Sequence, residues 1–525
     1  MDRRALLTTA VAVTTALTTA ACSRGGGTPE ASGTTTPATR TPVAGRTSAR
    51  PAGPADWTAL ARGLDGKLVR PGDADYPSAR QLYNTRFDGQ KPAAVAYVAG
   101  EDDIKECLAY AKAHGTPVSI RNGGHSYGGW SSGNGRLVVD VSSLDRIAAD
   151  GAIGAGAKLI DVYRVLARRG RTIPAGSCPT VGISGLTLGG GHGVTSRAYG
   201  LTCDSLTEAT LVTADGRTLT ASATENKDLF WALRGGGNGN FGVVTGFRFR
   251  THPTPATVSA FLTWPWSRAA AVLGAWQRWG PGLPDEIWSS LHLAAGPGGV
   301  RPTLSVAAFT LGDEGELRNA LDRLADAVGS PASSVALRTR SYLDAMLSYG
   351  GCLSLTDAQC RLPGTTPGRS KQGALPRETY AAASDFFDRD LSPAGRQALI
   401  AAAEAFTRIP ANRGGGGGSI ALTALGGAVN RVDPLATSFV HRRSRMLAQY
   451  IAAWQPGTSG SAQQSWLKDA HASMRRYASG AAYQNYADPN LPNWRQAYYG
   501  PAADRLTRLK HRYDPDGLFA HPQGL

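Results

Sequence analysis

The sequence of 525 residues has few cysteines and lacks the spacing that binds a metal. No two of its six cysteines form a C-x-x-C pair: they are Cys22, Cys107, Cys178, Cys203, Cys352 and Cys360. No histidine cluster has ligand spacing either, so no metal site is predicted. Cys352 and Cys360 flank a short polar loop and could form a disulfide in an exported protein. Cys107 lies in an apolar stretch and is expected to be a buried small hydrophobe.

The sequence also lacks a dense run of lysine and arginine. The formal net charge of +15 raises nucleic acid or an anionic surface as a partner. The arginines are scattered, however, which is typical of a solvated surface, so nucleic acid is not predicted as a partner. A phosphate loop of the form GxxxxGK[ST] is missing too, which argues against a nucleoside triphosphatase.

The first 22 residues are too short and too weakly apolar for a membrane span and are typical of a signal peptide. Arg3 and Arg4 precede an apolar stretch over residues 5–21 and fit a twin-arginine signal, which exports folded proteins. Residues 19–22 resemble a lipobox in which Cys22 would be lipidated, although Thr19 stands where leucine is usual. We therefore expect an exported protein, either secreted or anchored outside the cytoplasmic membrane through a lipid at Cys22.

Length and composition favour two domains after a linker, with an α+β fold. Residues 23–56 are rich in Gly, Ser, Thr, Pro and Arg and are predicted to be a flexible linker. In residues 86–255 short apolar strands alternate with helical stretches. Strands are predicted there over 93–98, 118–120, 137–141, 151–156 and 211–213, and helices over 101–114 and 158–169.

The pattern changes in residues 256–480, where antiparallel strands covered by amphipathic helices are expected. Strands are predicted over 264–266, 287–293 and 304–309, helices over 317–328 and 394–407, and a surface loop over 414–418. Residues 481–525 are rich in Asn, Asp, Pro and aromatics and form a separate C-terminal element with a helix over 501–512.

Two glycine-rich segments each contain one nucleophilic side chain. RNGGHSYGG at 121–129 contains His125, and GSCPTVGISGLTLGGGHG at 176–193 contains Cys178. Glycine lets the backbone approach a bulky ligand, and successive N–H groups in such loops form concave phosphate sites. The pairing therefore predicts a cofactor that is fastened to the protein as well as bound.

Together with DLFWALRGGGNGNFGVV at 228–244, these segments resemble FAD-linked oxidases of the vanillyl-alcohol-oxidase/p-cresol-methylhydroxylase type. The tail that starts YQNYADPNLPNW at 483 and the stretch GGAVNRVDPLATSFVHR at 426–442 are similar to the berberine-bridge-enzyme-like group. The resemblance is weakest across 263–419. It implies an FAD-binding domain of two α/β subdomains at 86–255, a substrate domain at 256–480, and a C-terminal element at 481–525 that returns to the FAD domain.

The resemblance implies FAD bound by two covalent links, with His125 on the flavin 8α-methyl and Cys178 on C6. Imidazole and thiolate are the side chains able to add at these electrophilic positions near neutral pH. The alternatives are a turn histidine and a buried thiol. Further cofactor contacts are expected from the backbone or side chains of Asn122, Gly123, Gly124, Ser126, Val181, Gly182, Gly189, Gly190, Gly191, Gly193, Gly242 and Val243, although any one of these glycines could instead serve a tight turn.

Oxidation of an alcohol needs a base that takes the hydroxyl proton while hydride leaves the adjacent carbon. In family members the base is often a tyrosine from the segment seen here at 483–486. Tyr483, also expected beside the cofactor, is therefore the predicted base, with Tyr486 as the second candidate. Such a tyrosine needs a hydrogen bond or a cation to stabilise its phenolate; the alternative is a packed aromatic ring. Tyr127 resembles an aromatic that lines the substrate face in relatives.

Several positions depart from parts of the family or vary within it. Leu186 and His192 stand where many plant relatives have His and Tyr, and His192 is either a pocket residue or a loop histidine. Asn430 stands near the position of a catalytic Glu in alkaloid-cyclising relatives, which argues against their ring-closing reaction. Val181 matches the small residue associated with oxygen access in oxidases of the group, although ordinary packing against the ring is the alternative.

The expected function is that of an exported FAD-dependent oxidase. It would remove hydride from an alcohol carbon of a carbohydrate or secondary metabolite and reduce O₂ to H₂O₂, so a small alcohol or sugar and O₂ are the expected partners. One alternative is a flavin dehydrogenase with another electron acceptor, which steady peroxide production would exclude. Another is a non-catalytic metabolite-binding flavoprotein, which bleaching of the flavin spectrum by substrate would exclude.

Overall fold

The computed structural model describes residues 56–525; the signal peptide, the lipidation site at Cys22 and residues 23–55 of the linker lie outside the described residues. Asp56 caps the first helix, α1 (Trp57–Gly63), because its carboxylate accepts the N–H groups of Thr58 and Ala59 at 3.0 Å each. Within residues 56–525, no helix combines the length and the apolar character needed to cross a lipid bilayer.

The first sheet has four strands in the order β1-β2-β4-β3. Strands β2 and β3 run parallel to β4, whereas β1 is antiparallel to β2. Acidic residues in its first turn and Gly115 at its end (φ 63°) favour the helix that joins β2 to β3. The elements are β1 (Lys67–Val69), α2 (Tyr76–Ala79), a 3₁₀ turn (Thr85–Phe87), β2 (Ala94–Tyr97), α3 (Glu101–His114), β3 (Val118–Arg121) and β4 (Leu137–Asp140).

The second sheet is antiparallel, with four strands in the order β5-β9-β7-β8, and β6 pairs separately with β10. The elements are β5 (Ala152–Gly154), α4 (Leu159–Ala167), β6 (Arg171–Thr172), α5 (Ile183–Leu188), α6 (Ser196–Tyr199), a 3₁₀ turn (Thr202–Asp204), β7 (Leu206–Val212), β8 (Thr218–Ser222), α7 (Lys227–Leu233), β9 (Val243–Phe249) and β10 (His252–Pro253). The strand predicted at 211–213 is thus the end of the longer β7.

The third sheet is antiparallel, with seven strands in the order β14-β11-β13-β12-β16-β17-β15. Its elements are β11 (Thr257–Trp264), a 3₁₀ turn (Trp266–Arg268), α8 (Ala269–Trp279), β12 (Ile287–Ala295), β13 (Thr303–Thr310), α9 (Glu314–Val328), β14 (Ser334–Arg340), α10 (Tyr342–Tyr349), β15 (Tyr380–Phe387), α11 (Pro393–Thr407), β16 (Gly417–Ala424), α12 (Ala428–Arg431), β17 (Met446–Ala453) and α13 (Ser461–Met474). Helices α8, α9, α11 and α13 bury their apolar side chains against one face of the sheet. The other face borders the first half of the chain, since Trp288, Ala307 and Phe309 share its hydrophobic core. The predicted α+β class is confirmed.

Two local predictions for this region are wrong. The strand predicted at 264–266 ends at Trp264, because Pro265 has no N–H for a ladder and a 3₁₀ turn follows. The loop predicted at 414–418 already contains the start of β16, since Gly417 and Gly418 pair with Ala453 and Ala452.

The C-terminal segment packs on the first half of the chain. Its elements are a 3₁₀ turn (Gln484–Tyr486), α14 (Trp494–Tyr499), a second 3₁₀ turn (Gly500–Ala502) and α15 (Ala503–Tyr513). Leu506 and Phe519 share a hydrophobic core with Leu233 and Phe241. The first sheet begins at Lys67, ahead of the boundary predicted at 86; the domain boundaries stay a prediction.

Apart from Cys178, the cysteines among residues 56–525 are all buried and have structural roles. Cys352 and Cys360 form a disulfide with a Cα–Cα distance of 5.6 Å. Cys107 is a buried thiol on α3, as predicted, and burial raises its pKa to about 12. Cys203 is buried as well.

One buried arginine joins the two halves of the chain. Arg197, on α6, is 1% exposed and donates only to main-chain carbonyls near the large sheet. Its Nε donates to Ile287 O at 2.9 Å, its Nη2 to Leu283 O at 2.5 Å, and its Nη1 to Leu425 O and, at 3.3 Å, to Pro281 O. The large sheet is thereby held against the segment that follows the second glycine-rich loop.

Candidate active site

A cavity of about 410 Å³ lies between the open face of the large sheet and both glycine-rich segments. His125 and Cys178 line it together, although they are 53 positions apart in the sequence. Other predicted site residues on its wall are Asn122, Gly123, Gly124, Ser126, Tyr127, Val181, Gly182, Leu186, His192, Gly193, Gly242, Tyr483 and Tyr486. The fold therefore brings most of the predicted residues to one place.

His125 is held in a fixed orientation and is uncharged. Its Nε2 lies 2.9 Å from Thr180 Oγ1, and its ring stacks on Tyr83 with the centroids 4.0 Å apart. Burial, assisted by the positive charge of Lys158, lowers the pKa of His125 to about 3. A neutral imidazole keeps a lone pair, which is the form that acts as a nucleophile.

Cys178 is partly exposed in the cavity. Burial is the largest cause that raises the pKa of Tyr127 and of Tyr486, and the Cys178 thiol is a smaller one for both. The thiol therefore lies close to these two rings, at the end of the cavity where the tyrosines gather. Val181 and Gly182 line the same wall.

The hydroxyl of Tyr483 accepts two hydrogen bonds. Gly191 N–H donates to it at 2.8 Å and Asn485 Nδ2 at 2.9 Å. Tyr483 is 2% exposed, and burial raises its pKa while both hydrogen bonds oppose that rise. Donors aimed at a phenol oxygen stabilise its phenolate, which is what the predicted base requires.

Tyr486 has a different environment. Its hydroxyl lies 2.7 Å from His192 Nε2, and its ring stacks on Tyr127 with the centroids 5.3 Å apart. Burial lowers the pKa of His192 to about 4, so its ring is neutral at physiological pH. Tyr127 in turn accepts a hydrogen bond from Gln449 Nε2 at 2.8 Å. Of the two predictions for His192, the cavity lining supports a pocket residue.

Some predicted cofactor contacts are absent from the cavity wall: Gly189, Gly190, Gly191 and Val243. A Cβ on Gly189 would lie 2.0 Å from Asn485 Oδ1, and one on Gly191 would lie 2.2 Å from Thr202 Oγ1. These glycines make room for neighbouring protein groups, as Gly190 does beside Phe439. Val243 is buried in β9, and because strand side chains alternate, its neighbour Val244 lines the cavity instead.

Asn430 also lies outside the cavity wall. Its Oδ1 accepts Gly426 N–H and its Nδ2 donates to Ser444 O, both at 3.0 Å. It closes the turn around α12, so its side chain has a role in the local structure. Gln449, on β17, supplies a carboxamide to the cavity wall.

The side of the cavity formed by the large sheet was not predicted from the sequence. Trp288, Ser290 and His292 alternate along β12 and face the cavity together. Other lining residues that were not predicted are Trp130, Asn238, Ala421, Thr423, Tyr349, Tyr380, Gln484 and His521. The period of two in the strand predicted at 287–293 places the first three side chains on one face, but it does not show that this face borders a cavity.

The cavity wall suits a large ligand with both polar and aromatic parts. Buried polar atoms without a protein partner, Asn238 Oδ1, Gln484 Oε1 and Trp288 Nε1, belong to residues that line it. A Cβ on Gly185, which also lines it, would meet no atom within 4 Å. Unpaired buried polar atoms are rare without a ligand or water, so the residues present fit a dinucleotide with a planar ring.

The comparisons with known proteins agree with this site. Residues 92–222 match the family described as FAD binding domain, and residues 482–525 the family described as Berberine and berberine like. The uncharacterized FAD-linked oxidoreductase YgaK of Bacillus subtilis is 32% identical over 471 residues, covering 88% of this chain and 97% of that protein. The chitooligosaccharide oxidase of Gibberella zeae is 29% identical over 465 residues, covering 84% and 89%.

Among solved structures, BBE-like 1 of Physcomitrella patens matches with a TM-score of 0.78 at 30% identity, covering 89% of this chain and 98% of that one. The fold and the site thus define an FAD-dependent oxidoreductase. The chain belongs to the berberine-bridge-enzyme-like family of FAD-linked oxidases.

Proposed function

We propose that the protein is an exported oxidase that removes hydride from an alcohol carbon of a carbohydrate or related metabolite and reduces O₂ to H₂O₂. The observation that carries the proposal is that His125, Cys178, Tyr483 and Tyr486 line one cavity. Two of these side chains are nucleophiles that can hold a flavin, and two carry hydroxyls that can move a proton. The twin-arginine pattern at Arg3 and Arg4 supports export.

His125 and Cys178 are the proposed covalent attachment points of FAD. The neutral imidazole of His125 is a ready nucleophile, and its contacts with Thr180 and Tyr83 fix the ring before attachment. Cys178 approaches from the other glycine-rich segment. Asn122, Gly123 and Gly124, which precede His125 in the sequence, line the same cavity, and their backbone N–H groups are the proposed donors to the cofactor. The chemistry that bound FAD supplies is acceptance of a hydride and transfer of two electrons to O₂.

Tyr483 is the proposed base. A substrate C–OH loses a hydride from carbon and a proton from oxygen to become a carbonyl, and the proton goes to the Tyr483 oxygen. The N–H groups of Gly191 and Asn485 stabilise the negative charge that the oxygen carries before it takes the proton. Tyr486 meets the Tyr483 ring edge-on and stacks on Tyr127, and these two rings are proposed to confine the alcohol carbon. Val181 is the proposed residue beside the path of oxygen.

A sugar is the proposed substrate class. The open face of the large sheet presents aromatic rings at Trp288 and Tyr380 beside polar groups at Ser290, Thr423 and Gln449. Flat apolar surfaces with nearby hydrogen-bonding groups suit the faces and hydroxyls of a sugar ring. The relation to a chitooligosaccharide oxidase supports the same class.

The state of the flavin after denaturation tests the attachment. Acid-precipitated wild-type protein should be yellow and heavier by the mass of FAD. His125→Ala and Cys178→Ala should each keep the mass of one attached flavin, while the double variant should release it. Cys107→Ala, which removes a buried thiol far from the cavity wall, is the matched control and should retain both links. Free flavin from denatured wild type would refute the proposal.

Peroxide measurement tests the acceptor. With a panel of mono- and oligosaccharides in air, one H₂O₂ should form for each carbonyl produced. A flavin that substrate bleaches without stoichiometric peroxide would identify a dehydrogenase with another acceptor. A flavin that light reduces but that no alcohol bleaches would identify the non-catalytic binding protein.

A further inference from the structure

A second, smaller cavity lies on the other side of the loop that contains His125. It measures about 30 Å³, and its wall includes Ser78, Arg121, Asp140, Lys158 and Arg369. Asn122, Gly123 and Gly124 line both this cavity and the large one. We call it the Lys158 cavity. Its volume admits a water-sized or somewhat larger group, because about 10–15 Å³ suffices for one water.

Two polar groups on its wall have no hydrogen-bond partner in the protein. Arg121, 4% exposed, lacks a partner for Nη1, and Ser78 lacks one for its buried Oγ. Both groups are able to donate a hydrogen bond. Because an unpaired buried donor costs about 1–3 kcal/mol, a ligand that accepts hydrogen bonds would stabilise both.

The charges around this cavity do not balance. The Asp140 carboxylate accepts hydrogen bonds from Arg121 Nε at 2.5 Å and from the Ser142 N–H at 2.8 Å. Lys158, 6% exposed, donates to three neutral oxygens, those of Asn122, Ser142 and Gly156, at 2.5–3.1 Å. No ion pair of the described residues includes Lys158, so this buried ammonium has carboxylates such as Asp140 nearby but none in direct contact.

Arg369 is the third cation of the wall. Its Nη1 donates to Gln81 Oε1 at 3.0 Å and to Pro363 O at 3.1 Å, both neutral. Burial and then the charges of Arg377 and Arg121 lower the pKa of Arg369 to about 10. Burial, against the pull of Asp140 and Asp161, lowers the pKa of Lys158 to about 8. Both groups are still mainly protonated at pH 7, so one carboxylate faces three cations.

We propose that the Lys158 cavity is a binding site for a small monovalent inorganic anion of the size of chloride. Such an ion accepts from the unpaired donors of Arg121 and Ser78 and compensates the excess charge of Lys158 and Arg369. A water molecule would satisfy the donors alone. The ion would lie behind the loop that carries His125, outside the space proposed for the flavin, so this site does not depend on the oxidase reaction.

Bromide replaces chloride in the direct test. Crystals of the full-length protein grown in sodium bromide should show an anomalous peak in the Lys158 cavity within hydrogen-bond distance of Arg121. In solution, Tm in sodium chloride should exceed Tm in sodium gluconate by about 2 °C at equal ionic strength, since gluconate is too large for the cavity. Absence of the peak, or a peak without a Tm difference, would overturn the proposal in favour of water or of binding at crystal concentration only.

A variant separates the site from general salt effects. Arg369→Gln removes one positive charge but retains a donor, and it should abolish both the bromide peak and the chloride-dependent rise in Tm. Arg318→Gln removes an exposed helical arginine paired with Glu314 and should keep the wild-type response to chloride. Equal responses of the two variants would contradict the proposal. If Arg369→Gln does not fold, Ser78→Ala takes its place, with a weakened response expected.

Discussion

The backbone N–H of Gly191 donates a hydrogen bond of 2.8 Å to the hydroxyl of Tyr483, across 292 positions of sequence. The N–H can approach because Gly191 has a φ of 83° and no side chain, where a Cβ would strike Thr202. The second glycine-rich segment therefore acts on the C-terminal tyrosine directly. A glycine predicted to contact the cofactor thus donates a hydrogen bond to the oxygen of the proposed base.

Replacing Tyr483 should remove the proton acceptor. We expect Tyr483→Phe to lower kcat by about 10²–10⁴-fold, the usual contribution of a positioned base, with flavin content unchanged. Tyr486→Phe is the matched control because it removes a neighbouring hydroxyl that is hydrogen-bonded to His192 Nε2. Steady-state kinetics on a responsive sugar would measure both. A larger loss in Tyr486→Phe would reassign the base.

Asn485 should set the pH at which the base works. Its Nδ2 donates to Tyr483, so Asn485→Leu removes a bond that lowers the pKa of this phenol. The pKa of Tyr483 should rise further, and the phenolate should be scarcer at any given pH. The rising limb of the pH profile of kcat/KM should therefore move to higher pH by about one unit. A profile recorded between pH 6 and 10.5 that coincides with wild type would contradict this role.

Gly185 tests whether the cofactor occupies the wall of the large cavity. A Cβ there meets no protein atom within 4 Å, so Gly185→Leu should fold with little change in Tm while its side chain enters the cavity. Flavin content, read as the ratio of absorbance at about 450 nm to that at about 280 nm, should fall several-fold if FAD binds there. Gly89→Leu, at an exposed glycine with equally open surroundings, should load fully.

Acid should destabilise the fold between about pH 6.5 and pH 4. Burial lowers the pKa of His192, His292 and His441 to about 4 each. The unfolded chain binds protons at these residues in that window whereas the folded chain does not, so stability falls as pH falls. Within this window each histidine adds about 1.4 kcal/mol per pH unit to the slope of the free energy of unfolding against pH.

His441 offers a way to measure one such contribution. It is 6% exposed and hydrogen-bonded to Tyr498 O at 2.9 Å. His441→Gln should lower Tm at pH 7, because a buried contact is altered, but it should make Tm less steeply dependent on pH below 6. An unchanged slope would show that His441 does not titrate in this window.

The disulfide should stabilise the segment between α10 and β15. Cys352 and Cys360 are both fully buried and eight positions apart. Loop-closure entropy for so short a loop predicts about 2–3 kcal/mol. The variant with both cysteines changed to serine should melt lower than wild type, and wild type in reductant should approach it. If reductant lowers the Tm of the variant as much as that of wild type, the stabilisation does not come from the disulfide.

The sequence predicted elements whose ends carry local signals. The helix Glu101–His114 was predicted with its observed ends, because acidic residues fill its first turn and Gly115 follows its last. The strand predicted at 264–266 is wrong because Pro265 has no N–H to donate and ends the ladder of hydrogen bonds. His125 and Cys178 were singled out because a nucleophile within a glycine-rich segment is recognisable without any tertiary information, and the fold brings both to one cavity.

The side of the cavity formed by the large sheet was beyond such reasoning. The segment Ile287–Ala295 is buried on both faces, so its sequence does not reveal that Trp288 and His292 face a ligand space. The role of Gly189 is ambiguous in the sequence for a related reason. A glycine required by a ligand and a glycine required by Asn485 look the same until the chain is folded.

Arg197 binds the large sheet through carbonyl oxygens only, and every residue type provides a carbonyl. This contact therefore does not restrict the side chains of the strands beside it. Trp288, Ser290 and His292 can be exchanged during divergence while Arg197 keeps its acceptors at Ile287, Leu283 and Leu425. A scaffold of this kind can acquire new specificities by changing one strand face, without a new means of holding the sheet in place.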